Sequence, residues 1–232
     1  MTPFGIFSDR ADAGRQLAAQ VVGLTLRDPV VMALPRGGVP VAFEVAQALE
    51  APLDLVLVRK IGVPGYPELA LAAVVDGERA DLVLNDDVVA ATGLGPEAIR
   101  QLSVEQLEEI ERRRRVYLSG RPPVAVGGCS VIVVDDGIAT GASMRAALTA
   151  LARRGPAELI LAVPVAPMDT ITALRQLVDR LVCLVTPEPF GSIGAFYDDF
   201  HQLSDEEVTR LLADAAAFGH ADRKKRSDAR LP

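Results

Sequence analysis

Apolar positions along the chain fall into two periods. Short unbroken runs rich in β-branched residues have the length of strands: VVMAL from Val30, LDLVLV from Leu53, VIVV from Val131, ELILAVPV from Glu158 and LVCLV from Leu181. They lack polar alternation, which predicts strands buried on both faces. Between them, residues 39–49, 142–153 and 170–178 carry apolar side chains at helical spacing. Strand and helix alternate as parallel βαβ units do, so the expected fold class is α/β, a three-layer α/β/α arrangement around a mostly parallel, twisted sheet. A first helix should run to about Val22, with Ser8 or Asp9 offering a side-chain oxygen to its first-turn amides. A last helix is expected over residues 205–217.

One connection breaks the alternation. LALAAVV is followed by Asp76-Gly77-Glu78-Arg79 and then ADLVL, a hairpin pattern that predicts one antiparallel edge strand. Residues 86–117 read as two helices divided by Gly93-Leu94-Gly95-Pro96, and Arg121-Pro122-Pro123 ends them with an extended stop. This helical insertion, residues 86–118, could serve as a lid, as the face of a homodimer, or as packing. One domain over residues 1–217 is expected, followed by a flexible basic tail over 218–232.

Composition narrows the function classes. Half of the 232 residues are hydrophobic and 24% are charged, enough apolar material for a core and no sign of disorder. The chain has no charged segment leading into an apolar run at its start and no apolar stretch of about 18 residues, so a cytoplasmic protein without a membrane span is expected. Cys129 and Cys183 have no metal-type spacing and read as reduced, largely buried thiols. His201 and His220 lack the spacing of a metal site or a triad and read as structural or exposed. A formal net charge of −7 opposes nucleic-acid binding unless a basic patch is concentrated somewhere. Arg112 to Arg115 lie among Glu105, Glu108, Glu109 and Glu111 and read as a solvated helix face. Arg223, Lys224, Lys225 and Arg226 read as a solvated terminus.

The segment VIVVDDGIATGAS, residues 131–143, carries the chemistry. Its strand delivers Asp135 and Asp136 to the carboxyl edge of the sheet, where open α/β folds bind ligands. Adjacent carboxylates there need hydroxyl donors, a cation or water. The chain then runs Gly137-Ile138-Ala139-Thr140-Gly141-Ala142-Ser143 into a helix, gathering small residues, two hydroxyls and first-turn amides around one point suited to a phosphate. It is not a Walker loop, because the lysine after the second glycine is absent. Leu34-Pro35-Arg36-Gly37-Gly38-Val39 connects the first strand to its helix and offers amides and a guanidinium to an anion, or is an ordinary glycine-rich turn. Arg59 and Lys60 end the second strand ahead of a Gly- and Pro-rich stretch, residues 61–69, and could equally be snorkelling surface cations.

Residues 131–143 resemble the phosphoribosyl pyrophosphate motif of type I phosphoribosyltransferases, and the resemblance extends from Leu34 to about Leu212, nearest to an uncharacterised bacterial branch. It implies that Asp135 and Asp136 meet the ribose hydroxyls, directly or through Mg²⁺, with Asp136 also catalytic. It implies that Gly137, Ile138 and the loop from Ala139 to Ser143 hold the 5′-phosphate. Arg36, Gly37 and Gly38 would take the pyrophosphate, with a cis peptide between Pro35 and Arg36. Residues 61–69 would be a mobile loop, with Arg59 and Lys60 stabilising the departing pyrophosphate. The implied reaction moves phosphoribosyl from phosphoribosyl pyrophosphate to a nitrogenous acceptor. Ala139 stands where the hypoxanthine-guanine branch has an acid, which disfavours a 6-oxopurine acceptor. A hood over residues 187–203 would close the site, its Phe190, Phe196 and Tyr197 either stacking on a base or anchoring the last helix. The same fold also serves regulators that sense phosphoribosyl pyrophosphate or nucleotides without turnover; a basic face on the helical insertion would favour that role.

Overall fold

The computed structural model describes residues 5–77, 80–216 and 218. The tail cations Arg223 to Arg226, His220 and the end of the last helix at Ala217 lie outside the described residues, as do Glu78 and Arg79 of the hairpin turn. Strands β1 (Val30–Ala33), β2 (Leu53–Leu55), β6 (Ser130–Val134), β7 (Glu158–Val165) and β8 (Arg180–Val185) form a five-stranded parallel sheet in the order β2-β1-β6-β7-β8.

Both faces of this sheet are covered, which is why its strands read as continuous apolar runs. Alternate residues divide between the faces. Val31 and Ala33 pack with Leu17 and Val21 of α1 (Arg10–Val21), Val41 and Val45 of α2 (Gly38–Leu49), and Val208 and Leu212 of α7 (Asp205–Ala215). Val30 and Met32 pack with Leu148 and Leu151 of α5 (Ala142–Ala152) and with Ile171 and Leu174 of α6 (Met168–Leu174). Strand β8, at one edge, is half-buried throughout, whereas β2, at the other edge, is buried.

The antiparallel part forms a sheet of its own. Strands β3 (Val58–Val63), β4 (Tyr66–Val75) and β5 (Asp81–Leu84) lie in that order, with Ala72 opposite Leu84 and Arg59 opposite Val74. The run LDLVLV is therefore two strands. Pairing with β1 ends at Leu55, after which the Leu57 amide donates to the Asp76 carboxylate at 2.7 Å and the chain enters the second sheet. Residues 61–69, expected as a mobile loop, lie in the β3–β4 hairpin. Pro64 and Gly65 form its turn, and Gly65 has φ +83°, a left-handed conformation that glycine adopts without penalty.

The two helices expected after β5 are α3 (Asp86–Thr92) and α4 (Pro96–Leu118), separated by Gly93 in the left-handed region and started by a proline. Ile99, Ile110, Tyr117 and Leu118 of α4 are buried in the same cluster as α1, α2 and α7, so this helix packs into the main core.

Candidate active site

The strand order reverses between β1 and β6: the chain leaves β1 toward β2 on one side and leaves β6 toward β7 on the other. The two strand-end loops diverge there and open a crevice at the carboxyl edge, the position at which such sheets bind ligands. The loops touch. The Leu34 amide donates to the Val134 carbonyl at 3.0 Å. A Cβ on Gly37 would stand 2.0 Å from Oδ2 of Asp136, and one on Gly38 would stand 2.8 Å from the α-carbon of Asp135, so only glycine fits at either position. The Pro35–Arg36 peptide is cis.

Beyond β6, the Ile138 amide donates to the Val165 carbonyl at 2.9 Å, and Gly141, at φ +75°, turns the chain into α5. Among the described residues no side chain caps that helix. Ala139, Thr140 and Ala142 are exposed, Ser143 is half-buried, and the Ala139 carbonyl accepts from the Thr170 hydroxyl at 2.8 Å.

The two acids have different surroundings. Asp135 is half-buried; among the described residues its carboxylate receives the Asp136 amide at 2.9 Å and makes no ion pair. Burial, and then the neighbouring Asp136, push its carboxyl well above the usual range. Asp136 is only 7% exposed, and Nε of Arg10 donates to its Oδ2 at 2.8 Å. Burial raises the Asp136 carboxyl too, and Arg10 opposes that rise.

A cavity of about 130 Å³ adjoins Asp135, lined also by Pro35, Leu57, Arg59, Arg113 and Ser143. Arg59 is held there by Gln106 of α4 at 3.1 Å. Lys60 is exposed and does not line this cavity; successive side chains of a strand face opposite ways, so the two cations cannot both do so. Arg36 stands 3.7 Å from Asp205 at the start of α7, and Asp205 also accepts from the Tyr117 hydroxyl at 2.7 Å. A larger hollow of about 290 Å³, between Pro52, Leu118, Pro123 and Phe218, is mostly apolar, and its Asp54 is already bonded to the Leu55 and Val124 amides.

Residues 187–203 use their aromatics for packing: Phe190 lies against Phe196, and Tyr197 against Phe7 and Phe200. His201 is exposed and bridges Asp199 and Glu207.

Arg10, Arg113 and Tyr197 belong to this neighbourhood although sequence reasoning did not select Arg10 or Arg113 for it. Both arginines carried a signal. Arg10 begins the buried stripe Arg10, Ala13, Gly14, Leu17, Ala18, Val21 of α1, an apolar-face position occupied by a cation. Arg113 and Arg114 stand three and four residues after buried Ile110, and four and three before buried Tyr117, hence on the inner face of α4. The solvated-face reading holds for Arg112, which pairs with Glu109, and for exposed Arg115; it fails for half-buried Arg114, which pairs with buried Asp76 at 2.5 Å. Glu109 bonds both Arg112 and Arg113, which draw its carboxyl down to about 2. The helix is thus charge-paired and presents no basic face among the described residues.

A two-loop crevice at the switch point of a parallel sheet, with carboxylates and a glycine-rich turn into a helix, is the arrangement of an α/β protein with its ligand position at the carboxyl edge of the sheet. The model of the phosphoribosyl transferase domain matches residues 7–201, and the chain belongs to that family. Two curated relatives from Mycobacterium tuberculosis strains, each provisionally named a phosphoribosyl transferase, are 46% identical over 207 residues, covering 89% of this chain and 46% of each of those proteins. This chain therefore spans about half the length of those relatives. The crystal structure of TT1426 from Thermus thermophilus is 41% identical, with a TM-score of 0.80 over 90% of this chain and 98% of that one. Among the described residues no helix is long and apolar enough to cross a membrane, and no three His, Cys, Asp or Glu side chains gather as a metal site.

Proposed function

We propose that this chain transfers the phosphoribosyl group of phosphoribosyl pyrophosphate to a nitrogenous acceptor: the bond from C1 of the ribose to the pyrophosphate oxygen breaks and a bond from C1 to the acceptor nitrogen forms. The observation that carries this reading is the contact of the two strand-end loops, Gly37 and Gly38 packed directly on Asp136 and Asp135. A pyrophosphate at the first loop and a ribose at the second would then be neighbours.

In this reading Asp135 accepts from the ribose hydroxyls, and Gly137 to Ser143 surround the 5′-phosphate with small side chains and the uncapped amides of α5. Arg36, with the backbone of Gly37 and Gly38, takes the pyrophosphate. Arg59 stabilises its departure, and Arg113, on the same cavity wall, joins it. Exposed Lys60 is assigned no contact. Mg²⁺ suits the site, because it prefers substrate phosphates, waters and one or two carboxylates over an all-protein cage, and Asp135 is a half-buried carboxylate without a cation. When bound, the ion would neutralise phosphate charge. Ala139 leaves no acid in the loop to serve a 6-oxopurine, so an acceptor outside that class is expected. The alternative of a sensing regulator that contacts nucleic acid gains no support from charge-paired α4.

The test is pyrophosphate release from phosphoribosyl pyrophosphate with Mg²⁺ across pooled purine, pyrimidine and other nitrogenous acceptors. Release dependent on one pool, lost in Asp135→Asn, supports the transferase. Tight binding of phosphoribosyl pyrophosphate without release from any pool would replace it with the sensor.

A further inference from the structure

We infer that Asp136 and Arg10 form a positioning pair that fastens α1 and residues 187–203 to the ligand loop, leaving Asp135 as that loop's one carboxylate for a ligand. The ligand half of this statement rests on the proposed function; the fastening does not.

Arg10 is 8% exposed and held by three contacts. Its Nε donates to Asp136 at 2.8 Å, its Nη1 donates to the His201 carbonyl at 2.9 Å, and its guanidinium carbon lies 3.8 Å from the centre of the Phe200 ring. The main chain of Asp136 is held as well, since the Tyr197 hydroxyl donates to its carbonyl at 2.5 Å. Residues 5–9 and 196–199 are joined to each other: the Phe7 amide donates to the Phe196 carbonyl at 3.0 Å, and the Asp198 amide to the Phe7 carbonyl at 2.9 Å. The N-terminal segment and the hood therefore form one unit, and that unit grips Asp136 by side chain and backbone together. Ile193 adds a third contact, because a Cβ on Gly137 would come within 2.6 Å of its Cγ2.

Asp136 is closed in on its Oδ2 side. Arg10 holds one side of its carboxylate, and the α-carbon of Gly37 closes on it so nearly that no side chain fits between. Turning it toward a ligand would strand a buried guanidinium, which is strongly unfavourable. Asp135 differs on each count: half-buried, not ion-paired, and on the wall of the cavity with Arg59, Arg113 and Ser143. The adjacent acids thus divide their work. One faces the ligand, and the other sets the shape of Gly137 to Gly141 through Arg10.

Four variants test this: Arg10→Gln, Asp136→Asn, the two combined, and Tyr197→Phe. Amide hydrogen exchange of residues 137–143, which needs no ligand, is measured beside calorimetric binding of phosphoribosyl pyrophosphate with Mg²⁺. Each charge-altering single variant should speed exchange across the loop. If it leaves the loop in its competent form about a tenth of the time, affinity falls about ten-fold. The double variant, a neutral hydrogen-bonding pair, should regain protection and affinity to within about three-fold of the parent. Tyr197→Phe, which removes one hydroxyl and keeps the ring packing, should loosen the loop partially and serves even where a charged single variant does not fold. A double variant with restored protection but no binding would overturn the division of labour by making Asp136 a ligand contact. Unchanged exchange in Tyr197→Phe and in every folded variant of the pair would overturn the fastening. Absence of binding by the parent chain would instead sink the proposed function, while the exchange data would still decide the fastening.

Discussion

A carboxylate drawn partly out of water without an ion pair weakens the fold that carries it, and among the described residues Asp135 is in that position. Such strain concentrates where a ligand later supplies the missing charge. Asp135→Asn should therefore raise the melting temperature in the absence of ligand while abolishing phosphoribosyl pyrophosphate binding. A gain of about 1 kcal/mol would appear as roughly 2–4 °C in a chain of this size. A lower melting temperature would show that the carboxylate is a structural group. His201 makes a second, pH-dependent case. Hydrogen bonds to Asp199 and then Glu207 raise its pKa above the ordinary 6.5. Its stabilising contribution is complete below 6.5 and is lost as pH rises through the raised folded value. The His201 bonds lower Asp199 below 3.8, and the Ser204 amide and then His201 lower Glu207 below 4.5, so their contribution is present above those values and is lost on further acidification. The bridge should be fullest between about pH 4.5 and 6.5. Thermal melts of His201→Ala against the parent should differ most in that window and converge above it; a difference independent of pH would leave the bridge without a role.

At the scale of elements, the most consequential is α4, whose inner face brings Arg113 to the cavity and Arg114 between the two sheets. Arg114 pairs with Asp76 after β4 at 2.5 Å and stands 3.9 Å from Asp54 in β2. Both acids are almost fully buried, and removing their cation leaves them uncompensated. Arg114→Met should lower stability by about 3 kcal/mol in urea unfolding; a loss below about 0.5 kcal/mol would mean that water already screens the pair. The parallel strands and their helices were legible because each is one contiguous run with its own period. The break inside LDLVLV was not, since residues on both sides of it are apolar, and the handover at Leu57 depends on Asp76, far along the chain. The glycine loops and paired acids were legible for the same reason: each is contained in a single segment. Arg10 and Arg113 reach the site from distant helices, and only their place on buried stripes marked them. A run of alternating charge hides such a stripe unless the buried residues flanking it are counted first.

Across the whole molecule, the site gathers cations inside a chain whose formal net charge is −7. An anionic ligand gains nothing from the long-range field of such a protein, so local placement must supply the attraction. Arg59 comes from the antiparallel sheet, Arg113 from α4 and Arg36 from the β1 loop, and only the packing of both sheets against α4 and α7 brings them near one crevice. Arg36 has a competitor there, because Asp205 of α7 lies 3.7 Å away and would have to release the guanidinium for the proposed contact with a pyrophosphate. Pairs this exposed are worth about 1 kcal/mol or less. Asp205→Asn keeps an oxygen for the Tyr117 hydroxyl and removes the competing charge. Affinity for phosphoribosyl pyrophosphate should rise by up to about five-fold, with the melting temperature changed by no more than about 3 °C. Weaker binding in this variant would show that Asp205 holds Arg36 in its working position, and α7 would then be part of the site's scaffold.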